Sequence, residues 1–262
     1  MSGLRWLQAA GVVGATLVLL ASSCSWRPET PLLEGVPPPA GDPVPPVDTH
    51  LTKGRPADQL HAWAAKRAKA LRIPVTALEA YAYAARVAEV ENPDCHIAWT
   101  TLAGIGQIES HHGTYSHSKL TDNGDVAPPI RGVRLDGSGG TMRIVEDVED
   151  GRDGTGAAAD RDSRSDQPGQ PDEDGVVRAM GPMQFIPETW RLYGVDANND
   201  GVINPDNIDD AALTAAGYLC WRGKDLATRD GWLTALTAYN DSETYARAVR
   251  DWATAYAAGH PL

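Results

Sequence analysis

The stretch Leu102-Ala103-Gly104-Ile105-Gly106-Gln107-Ile108-Glu109-Ser110-His111-His112-Gly113 reads as the last turns of a buried helix that delivers one carboxylate to its end. Ala98, Leu102, Ile105 and Glu109 follow at steps of four, three and four, so they share one helical stripe. A carboxylate on an apolar stripe is costly to bury charged unless it is paired or protonated. The C-terminal end of a helix carries partial negative charge, which also disfavours ionisation. Both effects raise the pKa of Glu109 toward the range a general acid needs near neutral pH. The same residues would also suit a surface glutamate at a fraying helix end. Gly104 and Gly106 each cost the helix about 1 kcal/mol relative to Ala. Close approach of a backbone or ligand would explain them, as would an ordinary tight helix crossing.

Upstream, the helical period begins at Pro56. Leu60, Ala64, Arg67 and Leu71 share one face of a first helix that stops before Pro74. Leu78, Tyr81, Ala82, Ala85 and Ala88 give a second helix its apolar face, and Asn92-Pro93-Asp94 ends it. The helix with Glu109 is expected from about Cys95. Downstream, residues 113–142 lose the period and gather turn formers, among them Asp122-Asn123-Gly124-Asp125 and Asp136-Gly137-Ser138-Gly139-Gly140. Residues 146–176 are acidic and of low complexity, and read as a disordered or mobile insertion. Order resumes over 178–190 as a turn leading into a short helix. Three more helices are expected, over about 208–223, 230–239 and 242–258; in the last, Tyr245, Val249, Trp252 and Tyr256 repeat at four, three and four. Strand signals are confined to short pieces, so the domain reads as mostly α.

The first 24 residues have the form of an export signal: Arg5, an apolar run from Ala9 to Ala21, then small residues up to Cys24. Cys24 after Ala21-Ser22-Ser23 resembles the lipid-attachment cysteine of bacterial lipoproteins; an uncleaved anchor over Leu4 to Ala21 is the alternative. Residues 25–56 read as a Pro-rich tether, or as a disordered leader of the same composition, which leaves 57–262 as the globular domain. A chain of 262 residues can hold one such domain plus appendages. Its net charge of −12 argues against a nucleic-acid partner held through phosphates. Eight Trp and eight Tyr against one Phe suit a core, and equally a cleft that stacks sugar rings.

Asp196-Ala197-Asn198-Asn199-Asp200-Gly201-Val202 matches the front of an EF-hand loop, with oxygen donors at positions one, three and five and Gly at six. The carbonyl of Val202 would be the next ligand. Asn207 replaces the usual Glu at position twelve, and Asp210 could supply the closing carboxylate. The loop is expected to hold a structural Ca²⁺, the alternative being an Asx-rich turn without metal. With Cys24 lipidated or removed, Cys95 and Cys220 remain as a candidate disulfide in an exported chain, unpaired buried thiols being the alternative. His111, His112 and His117 lack the spacing of a zinc peptidase site and are expected to line the cleft or the surface.

Three separated motifs then agree. Gly104 to Ser110 resembles the helix end that carries the catalytic glutamate in lytic murein transglycosylases of the membrane-bound B type. Ala179-Met180-Gly181 with Gln184-Phe185-Ile186-Pro187 resembles a second segment of that family, with the EF-hand-like loop just after it. Tyr239-Asn240-Asp241-Ser242 followed by Tyr245-Ala246 resembles a third. The resemblance spans about 74–258. It implies a lysozyme-like helical domain with irregular loops around a cleft, acting on peptidoglycan glycan strands as a monomer without an organic cofactor. Glu109 would be the acid/base, and Gln184, Tyr239 and Asn240, with Met180, Phe185 and Ser110, would form the substrate site. Two departures stand out: Gly175 occupies the place of a family serine, and Arg178 that of a small residue.

Paired-carboxylate glycosidases place a second Asp or Glu about 5–9.5 Å from the acid. Asp122, Asp125 and Asp136 lie in polar loops, and Glu188 reads as a first-turn helix residue. One carboxylate suits an intramolecular reaction that closes the C6 hydroxyl of N-acetylmuramic acid on C1. The alternatives are a water-using muramidase with a partner from the 122–136 loop, and a peptidoglycan-binding module without catalysis.

Overall fold

The computed structural model describes residues 34–134 and 177–262. The expected export signal, Cys24, Asp136, Gly175 and the expected acidic insertion over 146–176 lie outside them. A 3₁₀ turn over Pro56–Leu60 leads into α1 (His61–Leu71), followed by α2 (Val75–Glu91) and α3 (Trp99–Ser110). Among the described residues, four short strands come next: β1 (Lys119–Leu120), β2 (Val126–Ala127), β3 (Arg131–Arg134) and β4 (Arg178–Met180). The chain ends with α4 (Pro187–Tyr193), α5 (Ile208–Gly223), α6 (Arg229–Tyr239) and α7 (Glu243–Ala257). The described domain is mostly α, as its periodicity implies.

The core is built around α2, whose residues Ala77 to Ala85 are all buried. A helix apolar on every side needs neighbours on every side, and α2 packs against α1, α3 and α5. Helix α3 in turn lies along α7, and α5 along α6. The two glycines of α3 are explained by these crossings. A Cβ on Gly104 would stand 2.8 Å from the Val249 carbonyl oxygen of α7, and one on Gly106 would run into the Tyr81 hydroxyl of α2. Protein groups therefore fill both places, and no ligand is needed to account for them.

Local signals set the helix ends. Asn207 accepts from the backbone N–H groups of Asp209 and Asp210, Thr228 from Gly231, and Ser242 from Tyr245. At the other end of α3, His111 and His112 turn left-handed at φ 50° and 59°, and their N–H groups return to Gln107 and Gly106. Helix α3 starts at Trp99, four residues later than its expected start at Cys95. Cys95 is held elsewhere: its carbonyl accepts from Leu226 N–H, and its sulfur is bonded to Cys220 with a Cα–Cα distance of 5.2 Å. The expected disulfide is thus present and joins the chain before α3 to the last turn of α5.

The Pro-rich segment differs from a free spacer over its described part. Val36 is buried, and Val44 and Val47 pack on the core. The carbonyls of Pro39, Asp42 and Pro43 accept from Thr100 Oγ1, Trp99 Nε1 and Trp63 Nε1 at 2.9–3.0 Å. An extended Pro-rich chain cannot pair its own carbonyls, so they remain available to donors on α1 and α3. The same segment leads to Arg55, whose guanidinium bonds Asp209 at 2.7 and 2.9 Å and also pairs with Glu79. Asp209 is fully buried, and burial pushes its carboxyl up to about 6 even with Arg55 opposing the shift.

Among the described residues, β1 pairs with β2 and β3 with β4 as antiparallel ribbons. Arg134 pairs with Arg178, so the chain leaves toward the acidic insertion and returns from it side by side.

Removing Arg55 would leave buried Asp209 without its cationic partner and Glu79 with His61 alone. Arg55→Ala is expected to cost about 3–5 kcal/mol, read as a lower urea midpoint at pH 7. An unchanged midpoint would show that the cluster is not what joins the N-terminal segment to α2 and α5.

Candidate active site

Glu109 occupies the last turn of α3, and its Oε1 accepts a 2.6 Å hydrogen bond from the Tyr245 hydroxyl. Tyr245 belongs to the first turn of α7, where the Ser242 cap sets its backbone. Burial raises the Glu109 pKa to about 7, while the Tyr245 hydrogen bond pulls it the other way. Tyr245 is itself pushed well above its ordinary value by burial and by the adjoining Glu109, so it remains a protonated donor. The ring of Tyr239, at the end of α6, stacks on Tyr245 with planes 8° apart and centroids 6.4 Å apart. Tyr239 donates its hydroxyl proton to the Met183 carbonyl at 2.7 Å.

Met183 lies in a tight hairpin. Met180 and Phe185 exchange backbone hydrogen bonds of 2.8 and 3.0 Å, and Gly181 turns at φ +71° against Pro205, where a Cβ would collide with the Pro205 carbonyl. Gln184 adopts φ 51° and donates from Nε2 to the Gly181 carbonyl at 2.8 Å. Ser110, one residue after Glu109, fastens the hairpin to α3. Its Oγ donates to the Pro182 carbonyl at 2.6 Å and accepts from Gly113 N–H at 2.8 Å.

The expected site residues therefore separate into two groups. Glu109, Tyr239 and the hairpin bearing Gln184 come together, and Asn240 stands exposed at the end of α6. Met180, Phe185 and Ser110 are buried, at 3%, 4% and 1% exposure. They form the backing of the wall, and Ser110 has both hydrogen bonds occupied within the protein. Tyr245 was read as a stripe and motif residue and not as a site residue. Its signal was a phenol on a buried stripe, which needs a polar partner, but the stripe does not say which.

His112 does not line the cleft or the surface. It is buried between Tyr81, 3.2 Å from Nδ1, and Tyr256, 2.9 Å from Nε2. Burial lowers its pKa to about 3, so the ring is neutral. Tyr256 donates to Gln107 Oε1, which makes Nε2 the donating nitrogen and leaves Nδ1 to accept from Tyr81. His111 and His117 are exposed, as expected.

The acidic loop folds about its first residue. Asp196 accepts from the N–H groups of Asn199 and Gly201 at 2.8 and 2.9 Å, Asn198 from Asp200, and Asp200 from Val202. Asp210 accepts from Ala197 and Asn204 N–H at 2.8 Å each, which ties the two ends of the loop. The donors are the hard oxygens that a cation such as Ca²⁺ takes. Among the described residues, however, no three His, Cys, Asp or Glu side chains converge as a ready cage. Of the alternative carboxylates, Asp122 is exposed, and Asp125 is held by Asn123 and Asn207 through their side-chain amides.

Residues 176–232 match the family model described as the Transglycosylase SLT domain. No curated protein and no solved structure matches the chain. The matched span runs from the β4 hairpin through the acidic loop and α5 into α6; Glu109, Tyr239 and Tyr245 come from outside it. Over those residues the chain is similar to transglycosylase SLT domains.

Proposed function

We propose that this protein is an exported lytic transglycosylase of the membrane-bound B type that cleaves the β-1,4 bond between N-acetylmuramic acid and N-acetylglucosamine in peptidoglycan. The observation that carries the reading is the Glu109 carboxyl, held near neutrality by burial and gripped by Tyr245, beside a segment similar to transglycosylase SLT domains. Tyr245 donates to Oε1, which leaves Oε2 to carry the acid proton. Glu109 protonates the glycosidic oxygen as its bond to C1 breaks. The resulting carboxylate then takes the proton of the C6 hydroxyl, whose oxygen closes on C1 to give a 1,6-anhydro end. Acid and base are the same residue, and no water enters. Gln184, Tyr239 and Asn240 line the substrate side, where Tyr239 and Asn240 orient the N-acetyl group.

Cys24 is the attachment point for a lipid in this reading, placing the enzyme at the cell envelope. A Ca²⁺ ion, held by Asp196, Asn198, Asp200 and the Val202 carbonyl with Asp210 behind them, would supply a structural cross-link between the loop after α4 and the first turn of α5. The water-using alternative draws less support, because Asp125 already accepts from two side-chain amides.

Glu109→Gln is expected to lower turnover of purified sacculi by at least about 10²-fold with folding intact, and mass spectrometry of wild-type products should show anhydro ends. Reducing ends formed by water would exclude the intramolecular route, and a Glu109→Gln enzyme of normal activity would remove the acid assignment.

A buried acid raised to about 7 also makes a stability prediction. The folded state holds this proton more tightly than the unfolded chain, whose glutamate titrates near 4.3. Its contribution is therefore complete below the unfolded value and is lost as pH rises through about 7. Wild type and Glu109→Gln should melt together below about pH 4, with the advantage of the variant growing up to about pH 7 and levelling above it. Activity should fall over the same upper range as the acid form disappears. A Tm difference independent of pH would place the Glu109 pKa at its ordinary value.

Chelation with EDTA should lower Tm, added Ca²⁺ should restore it, and Asp200→Ala should abolish the response. An unchanged Tm in wild type would mean that the Asx turns hold the loop without metal.

A further inference from the structure

The aromatic contacts of the site continue past Tyr239 toward the surface. The Tyr218 ring of α5 lies 6.1 Å from Tyr239, edge-on, with its hydroxyl donated to the Ala238 carbonyl at 3.0 Å. From Tyr218 the run divides to Tyr193 at 5.4 Å and Trp221 at 6.3 Å, which meet each other at 5.5 Å. Trp221 is 49% exposed, whereas Trp63, Trp99, Trp190 and Trp232 are all buried. Leu192, beside Tyr193, is 58% exposed. The Arg222 guanidinium sits 5.1 Å from the Trp221 ring. A large exposed apolar surface with fixed rings usually marks a binding surface. Here the rings are positioned by one another and by the tie to α6.

We propose that Trp221 and Tyr193, flanked by Arg222, form an outlying glycan platform that holds the strand several sugars away from the bond at Glu109. This rests on the transglycosylase reading above and extends it to substrate length. Pyranose rings present apolar C–H faces that stack on rigid aromatic rings, and these rings are already ordered, so little conformational entropy is lost on binding. The run begins at Tyr239 and Tyr245 beside Glu109 and ends at the exposed Trp221, so a strand that leaves the site on this side of α5 meets Trp221. Arg222 complements the carboxylates that stem peptides carry along such a strand, in a chain whose own net charge of −12 would otherwise repel them.

The test separates polymer from short substrate. In the Glu109→Gln background, adding Trp221→Ala should weaken co-sedimentation with purified sacculi about tenfold, the effect of losing one aromatic anchor. Trp221→Phe should restore most of it. In the active chain, Trp221→Ala should lower kcat/KM on sacculi about tenfold more than on a soluble tetrasaccharide too short to reach past Tyr218. Melting temperatures equal to those of the parent chains control for folding. Equal losses on polymer and tetrasaccharide, or none on either, overturn the platform while leaving the Glu109 reading in place. A chain that neither sediments with sacculi nor cleaves either substrate overturns both.

Discussion

The close crossing of α3 with α2 and α7 is the constraint on which the site depends. Tyr245 can reach Glu109 at 2.6 Å because α7 lies against α3 where Gly104 has no side chain to hold it off. Gly106 does the same for α2, admitting the Tyr81 hydroxyl beneath the last turn. Either glycine would be a cost in an isolated helix. Together they let α3 end inside the domain, and burial at that end raises the pKa of Glu109. The acid is therefore a product of helix packing as much as of its own chemistry.

Several long-range ties keep that crossing in place. Cys95–Cys220 joins the chain before α3 to α5, and Arg55 joins the N-terminal segment to α2 and α5. Neutral His112, between Tyr81 and Tyr256, links α2 and α7 around the end of α3. Ser110 fastens the 180–185 hairpin, which in turn receives the Tyr239 hydroxyl. Each tie satisfies polar groups that burial would otherwise leave unpaired. The carboxyl of Glu109 thus sits in a wall whose other polar groups are largely engaged with one another.

Helix positions were legible from residue spacing because the side chains of each stripe face one direction along the chain. The boundaries of α5, α6 and α7 fall within a residue or so of those expected, and Asn207, Thr228 and Ser242 act as local stops. Glu109 was legible for the same reason, as a charge on an apolar stripe. Met180, Phe185 and Ser110 were harder to assign, since a motif names neighbours of a site without saying which side chains face it. His112 has the polarity of a surface residue but lies within a left-handed turn that carries it inward. Nor does Pro-rich composition reveal that donors on α1 and α3 wait for its carbonyls.

The sequence by itself determined the order of helices and the Asx-rich loop, and it narrowed the cysteines to one candidate pair and singled out one glutamate. All of these depend on near neighbours in the chain or on a choice with few options. Only the tertiary structure decided that Tyr245 grips Glu109, that Ser110 fastens a hairpin, and that the Pro-rich segment lies on the domain. Those outcomes join residues separated by tens to more than a hundred positions. Periodicity reports which face a residue occupies, but burial and pairing depend on what another element brings to that face.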